Sequence, residues 1–191
     1  MNWENRYIMN DIPWNQGEAA PELVEIIKKG IIKNQIIVPG CGFGHDCAKI
    51  AQNQSCQVLG LDLSTTAIRQ AVNRYGSLNN LKFVEGDIFR VSSEFEMQFD
   101  WLVEHTCFCA LNPVDRKSYL DFATFILKPK AKLFGIFFKD VEGHSGPPYP
   151  ISKKDFEDLF SKNFNLLSIW DAKKSFKGRE NNEFCALLER S

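Results

Sequence analysis

Residues 36–46, IIVPGCGFGHD, are a short apolar run that breaks at Pro39 into three alternate glycines, Gly40, Gly42 and Gly44. The stretch reads as a strand, a tight turn and a helix start. A glycine turn at such a junction lets the backbone approach a ligand where a side chain would block it, and it directs helix N-terminal amides at the ligand's polar groups. Working outward, VLGLDLS over residues 58–64 reads as a second buried strand ending in Asp62, eighteen residues beyond Gly44. An acidic residue at that place meets the hydroxyls of a ribose. Together the two stretches predict an adenosine site on an α/β sheet.

The rest of the chain alternates in the same way. Residues 21–29 have helical spacing (Leu23, Ile26, Ile27), with Pro21 in the first turn and Gly30 at the stop. A helix over 45–52 follows the first strand, and Ser64 can cap a helix running to Tyr75 with Ala67, Ile68, Ala71 and Val72 on one stripe. Strands are predicted at 81–84, ending in EGDIF, at 99–103, ending in EHTCFCA, and at 131–138. Helices are predicted over 115–127 and from Ser152. The last two strands, near 165–170 and 184–189, are joined by a connection too short and too polar for a helical crossover, so they should pair antiparallel. Residues 1–17 read as irregular and aromatic-rich, with Trp3, Tyr7 and Trp14 around Pro13. This is the pattern of a doubly wound sheet that binds ligands at the carboxyl ends of its strands.

Bulk properties narrow the partners. A chain of 191 residues fits one domain on a prior of about 150 residues per domain, and it can bury roughly 70% of its unfolded surface without a disulfide or metal. With 44% hydrophobic residues, 25% charged residues and a net charge of -1, it lacks the clustered basic excess of a nucleic-acid binder. Small-molecule partners, no membrane partner and a monomer are expected. Residues 1–11 lack the basic and then apolar pattern of a secretory signal, and no apolar run approaches about 18 residues, so a cytoplasmic location is expected. The six cysteines form no CxxC pair, which argues for reduced thiols and against a metal site. His45, His105 and His144 share no ligand spacing and read as ordinary hydrogen-bonded or exposed histidines.

The ordered set VPGCGFGHD, GLDLS, EGDIF, FDWLVEHTCFCALNPVDRKSYLDF, LKP and GPPY resembles the thiopurine S-methyltransferase family, including its halide and thiol methyltransferase relatives, over nearly the whole chain. The resemblance implies an S-adenosylmethionine-dependent methyltransferase on a Rossmann-like, seven-stranded sheet, mostly parallel with an antiparallel last strand. It spans residues 1–191 as a single domain, with residues 1–20 as an aromatic lid. It also implies roles. Gly40, Cys41 and Gly42 would lie along the methionine part of the cofactor, with Asp62 on the ribose and Leu63 against the adenine. Asp87 and Ile88 would bind the adenine edge, and Glu104 would approach the methionine amino group. Trp3, Tyr7 and Trp14 would cover the cofactor, a role that suits aromatic faces beside a sulfonium cation. The resemblance places Arg116 by the acceptor, as the cation that raises the thiolate fraction of a soft nucleophile without a dedicated base. Trp14 and Phe138 complete the acceptor side, while His105 and Glu104 are the rival bases that an amine or phenol would need.

Two departures stand out. Lys130 and Ala131 occupy the places of two turn glycines after LKP, so that turn should differ. Phe138 replaces a tyrosine of the halide methyltransferases, which weakens the halide and thiocyanate alternative. Small-molecule N- or O-methylation is a more remote one. A nicotinamide-dinucleotide oxidoreductase shares the glycine loop, but its fingerprint wants glycine at His45. GPPY resembles the PPY of amino-group methylases acting on nucleic acid, yet it follows the fifth strand instead of closing the fourth. A protein that binds S-adenosylmethionine without turnover is the non-enzyme alternative.

Overall fold

The computed structural model describes residues 1–139 and 146–191; His144 lies outside the described residues. Seven strands, β1 (Asn34–Pro39), β2 (Cys56–Asp62), β3 (Leu81–Glu85), β4 (Phe99–His105), β5 (Leu127–Phe138), β6 (Phe164–Asp171) and β7 (Glu183–Arg190), form one sheet in the order β3-β2-β1-β4-β5-β7-β6. All neighbours pair parallel except β7, which runs antiparallel to both β5 and β6. The expected architecture is therefore present. Chain order reverses between β1 and β4, the switch point where such sheets open a crevice at their carboxyl ends.

Alternation along the central strands divides the core between the two faces. On β1, Ile36 and Val38 face the side that carries α2 (Pro21–Lys28) and α3 (His45–Ala51), while Ile37 faces α5 (Arg116–Ile126) and α6 (Lys153–Phe160). On β4, Trp101 and Val103 take the first side and Leu102 the second. Strands covered on both faces need no polar side, which is why they read as continuous apolar runs. Helix starts follow local chemistry. Ser64 caps α4 (Thr65–Tyr75) by accepting from Ala67 N, and Ser152 caps α6 by accepting from Asp155 N. Among the described residues, no helix is long and apolar enough to cross a membrane.

Two expectations change. Residues 1–17 are not wholly irregular: Trp3–Ile8 form a six-residue helix, α1, capped by Asn2 accepting from Asn5 N. A single turn of this kind is too short to show a period. The turn after LKP becomes an irregularity within β5, where Phe99 pairs with Leu127 and Trp101 with Lys132. Lys130 adopts φ +63 there, the left-handed conformation that glycine takes without steric cost.

Candidate functional site

The carboxyl ends of β1 and β2 are sewn together by the glycine loop. Gly40 (φ +59) and Gly42 (φ +53) are both left-handed; a Cβ on Gly40 would lie 2.8 Å from Cys107 Cβ, and one on Gly42 would lie 3.0 Å from the Tyr7 hydroxyl. Cys41 N donates to Leu61 O and Gly42 N donates to Asp62 Oδ2 at 2.8 Å. These two amides hold the loop to β2, so what the loop offers a ligand is close backbone approach.

Asp62 is 7% exposed, and its second oxygen accepts from Ser64 N at 2.9 Å. Burial pushes its carboxyl above the usual range, against the pull of the Ser64 and Gly42 amides. A carboxylate has about four acceptor sites, so one on each oxygen remains for a vicinal diol. The arrangement fits a ribose. Gly86 N donates to Asp62 O, which sets EGDIF beside GLDLS. Leu63 is 53% exposed next to it, an apolar side chain at the strand end without a cover, and Ile88 is half-buried against the core. Asp87 accepts from Phe89 N at 2.9 Å and is half-buried.

The N-terminal segment lies over the loop. Tyr7 is buried and packs on Phe43 at 5.4 Å; Trp14 donates its indole N–H to the Tyr7 hydroxyl at 3.1 Å, and Trp3 meets Trp14 edge-on at 5.4 Å. Tyr7 and Trp14 line the cleft above Gly40, Cys41 and Gly42. Trp3 packs on Trp14 and is not among the residues lining the cleft. A residue that sequence reasoning missed fastens the segment: Glu4 accepts from Ser64 Oγ at 2.5 Å, Thr66 N at 3.1 Å and Thr66 Oγ1 at 2.7 Å, at the start of α4. The hydrogen bonds from Ser64 and Thr66 hold its carboxyl below the usual range.

The far wall of the cleft carries His105, Asp46 and Phe176. His105 Nδ1 lies 2.7 Å from Asp46 Oδ2, and Asp46 Oδ1 accepts from Ala20 N at 2.8 Å. Burial works to raise the Asp46 carboxyl, but the His105 ring, by charge and hydrogen bond, and the Ala20 amide outweigh it and leave it below the usual range. Arg179, from the β6–β7 connection, stands beside them. Its guanidinium is 3.4 Å from His105 Nε2, donates to Trp14 O at 3.2 Å, and lies over Phe138 at 5.4 Å and Phe176 at 5.5 Å. Glu183 pairs with it at 3.6 Å. Neither Asp46 nor Arg179 was singled out from sequence. His45, by contrast, is an ordinary hydrogen-bonded histidine between Tyr75 and Asn15.

Two expected site residues are engaged with other parts of the protein. Glu104 has no exposure: Oε1 accepts from Cys107 N and Phe108 N, both at 2.8 Å, and Oε2 accepts from the Tyr119 hydroxyl at 2.5 Å. It braces the turn after β4 from below and does not line the cleft. Burial pushes its carboxyl up to about 7. Arg116 donates to the carbonyls of Tyr149 at 3.2 Å and Pro150 at 2.8 Å and covers Phe108 at 5.1 Å. Its charge is committed to the GPPYP segment, and desolvation by burial lowers its pKa. Arg179, by contrast, touches two of the cleft-lining residues, His105 and Phe176.

Residues 1–186 match the family model described as thiopurine S-methyltransferase. The chain is 32% identical to a probable thiol methyltransferase 2 of Arabidopsis thaliana, covering 88% of this chain and 76% of that protein. It is also 32% identical to thiocyanate methyltransferase 1 of Brassica oleracea, covering 95% and 81%. In fold it is similar to 1,6-didemethyltoxoflavin-N1-methyltransferase of Burkholderia thailandensis, solved with S-adenosylhomocysteine bound, with a TM-score of 0.75 at 15% identity over 98% of this chain and 84% of that one. With a family match over almost its full length, the chain belongs to the thiopurine S-methyltransferase family and is an S-adenosylmethionine-dependent methyltransferase.

Proposed function

We propose that the methyl acceptor is a small, soft nucleophile: a thiol, a thiopurine or another sulfur or selenium compound. The observation that carries this reading is Arg179, a guanidinium at the cleft edge with aromatic rings beneath it and one carboxylate, Glu183, as partial counter-charge. A nearby cation favours the thiolate over the thiol, whereas it would repel a protonated amine. When bound, S-adenosylmethionine supplies a methyl group already activated by its sulfonium. The chain then has to hold two reactants in line, and such positioning supplies about 7–11 kcal/mol of a barrier. In this reading Gly40 and Gly42 give the methionine part room, Asp62 takes the ribose, and Leu63, Asp87 and Ile88 frame the adenine. The relatives named thiocyanate methyltransferases favour a second reading, a proton-free anion as acceptor. Phe138 offers no hydroxyl to steer a halide.

A methyl-transfer screen across thiols, thiopurines, selenols, thiocyanate, halides, amines and phenols tests the assignment. Turnover concentrated in the sulfur and selenium compounds is expected; turnover confined to amines or phenols overturns it.

The same reading makes residues 1–20 a lid. Glu4 joins it to α4 through hydrogen bonds that are partly exposed, the kind of attachment that opens on fast timescales. Limited digestion with thermolysin is expected to cleave residues 10–15 in the unliganded protein, with cleavage suppressed at least about fivefold by S-adenosylhomocysteine, since ligand linkage of 1 kcal/mol suffices for that factor. Equal cleavage with and without ligand would argue that Trp3, Tyr7 and Trp14 are permanent core.

A further inference from the structure

We propose that His105, oriented by Asp46, is the proton acceptor for the incoming nucleophile, so that the enzyme uses protonated alkyl thiols and not only thiolates already ionised in solution. The inference rests on the methyl-transfer reading above and deepens it. Three observations meet at one ring. His105 Nδ1 is 2.7 Å from Asp46 Oδ2, and both side chains are nearly buried, at 10% and 14% exposure. Asp46 is itself fixed through Ala20 N on its other oxygen. His105 Nε2 faces the Arg179 guanidinium at 3.4 Å, and a guanidinium can only donate. Those two neighbours select one neutral tautomer: Nδ1 carries the hydrogen and gives it to Asp46, and Nε2 keeps its lone pair, directed at Arg179 across a long 3.4 Å contact that the acceptor's S–H displaces.

Charged groups face the ring from three sides: Asp46 on α3, Arg179 from the β6–β7 connection, and Glu183 on β7 paired with Arg179. Glu104, next along β4, is turned into the core; Tyr7, Cys41 and Glu18 line the same cleft. Phe176 lies alongside the His105 ring, with centroids 6.1 Å apart and planes 27° apart. The step balances as follows. The acceptor's S–H bond breaks and its proton passes to Nε2. The electron pair left on the acceptor sulfur forms the new bond to the methyl carbon, and the methyl–sulfonium bond breaks with its pair remaining on the departing sulfur, a neutral thioether. The imidazolium then returns the proton to water. His105 is the catalytic residue and Asp46 a positioning residue.

The test compares two acceptors that differ in whether they carry the proton: an alkyl thiol of pKa about 8.5, and an electron-poor aryl thiol already ionised at pH 7. His105→Gln is expected to lower kcat/KM for the alkyl thiol at pH 7 at least about tenfold more than for the aryl thiolate. Its alkyl-thiol rate should then follow the thiolate fraction, falling about tenfold per pH unit below 8.5. Asp46→Asn should shift both measures the same way. Nitrogen-15 NMR of the unliganded protein should show His105 as the Nδ1–H tautomer, and that preference should be lost in Asp46→Asn. Equal losses for both acceptors, no loss for either, or an Nε2–H tautomer in the wild type would overturn the proposal. A melting shift with S-adenosylhomocysteine establishes that each variant is folded. Absence of that shift in the wild type, or absence of thiol turnover, would count instead against the methyl-transfer reading.

Discussion

Asp62→Ala is expected to weaken S-adenosylhomocysteine binding by at least about tenfold, and it is the largest single-residue effect on the cofactor that the geometry supports. Each charge-assisted hydrogen bond from a ribose hydroxyl is worth about 1.5–3 kcal/mol, and 1.4 kcal/mol is a factor of ten in affinity. The side chain does more than contact ligand. Its removal also releases Gly42 N and Ser64 N, which fix the loop and the start of α4. Part of the loss will therefore come from a less ordered site. Asp62→Asn separates the two contributions, because it keeps one acceptor oxygen for the backbone while giving up the charge. Calorimetry on the three proteins gives the affinities, and melting of the unliganded forms reports the structural part. Unchanged affinity in Asp62→Ala would remove the ribose assignment.

A second large effect should appear in stability instead of binding. Glu104 has an ordinary pKa of 4.5 and is raised to about 7 in the folded protein, chiefly by burial, against the hydrogen bonds from Tyr119, Phe108 and Cys107. Between those two values the folded state holds a proton that the unfolded chain has released. The associated stability is fully present below about pH 4.5 and is lost as pH rises through about 7. At 1.36 kcal/mol per pKa unit the change is on the order of 3 kcal/mol. Urea unfolding at pH 5 and pH 8 should show the wild type losing that much more than Glu104→Gln, whose amide does not titrate. Parallel losses in the two proteins would mean that the carboxyl is not held above its usual range.

The sheet was legible because its evidence is local. Three glycines after IIVP, an acidic residue closing GLDLS and a polar link before the last strand each act within about ten residues, and the central strands β1 and β4 are buried on both faces so their runs are unbroken. The acidic strand end at Asp62 was legible for the same reason. What escaped depends on where distant segments land. Glu104 ends a strand, as a ligand-facing acid would, yet its direction is decided by Tyr119 on α5 and by a turn that folds back beneath it. Arg116 carries a charge at the first position of a helix, but its partners are carbonyls more than thirty residues away. Asp46 and His105 are fifty-nine positions apart, and Arg179 lies in a segment that reads only as a polar connection. Spacing cannot announce such pairs. The short helix α1 escaped for the opposite reason: six residues give too little sequence for a period, and side-chain contacts with α4 hold it in place.

The position of β7 between β5 and β6 has a consequence for the birth of the molecule. On the ribosome β6 emerges first, yet its place in the sheet exists only once the eight residues of β7 arrive to separate it from β5. Until then β5 has an open apolar edge, the kind of surface on which nascent chains associate. Arg179 stands just ahead of β7 and is carried into place by the same closing event. The glycine loop and Asp62 belong to β1 and β2, made long before. Translation therefore completes the glycine-loop side of the sheet first and the Arg179 side last, and a chain arrested before Glu183 would hold the first without the second.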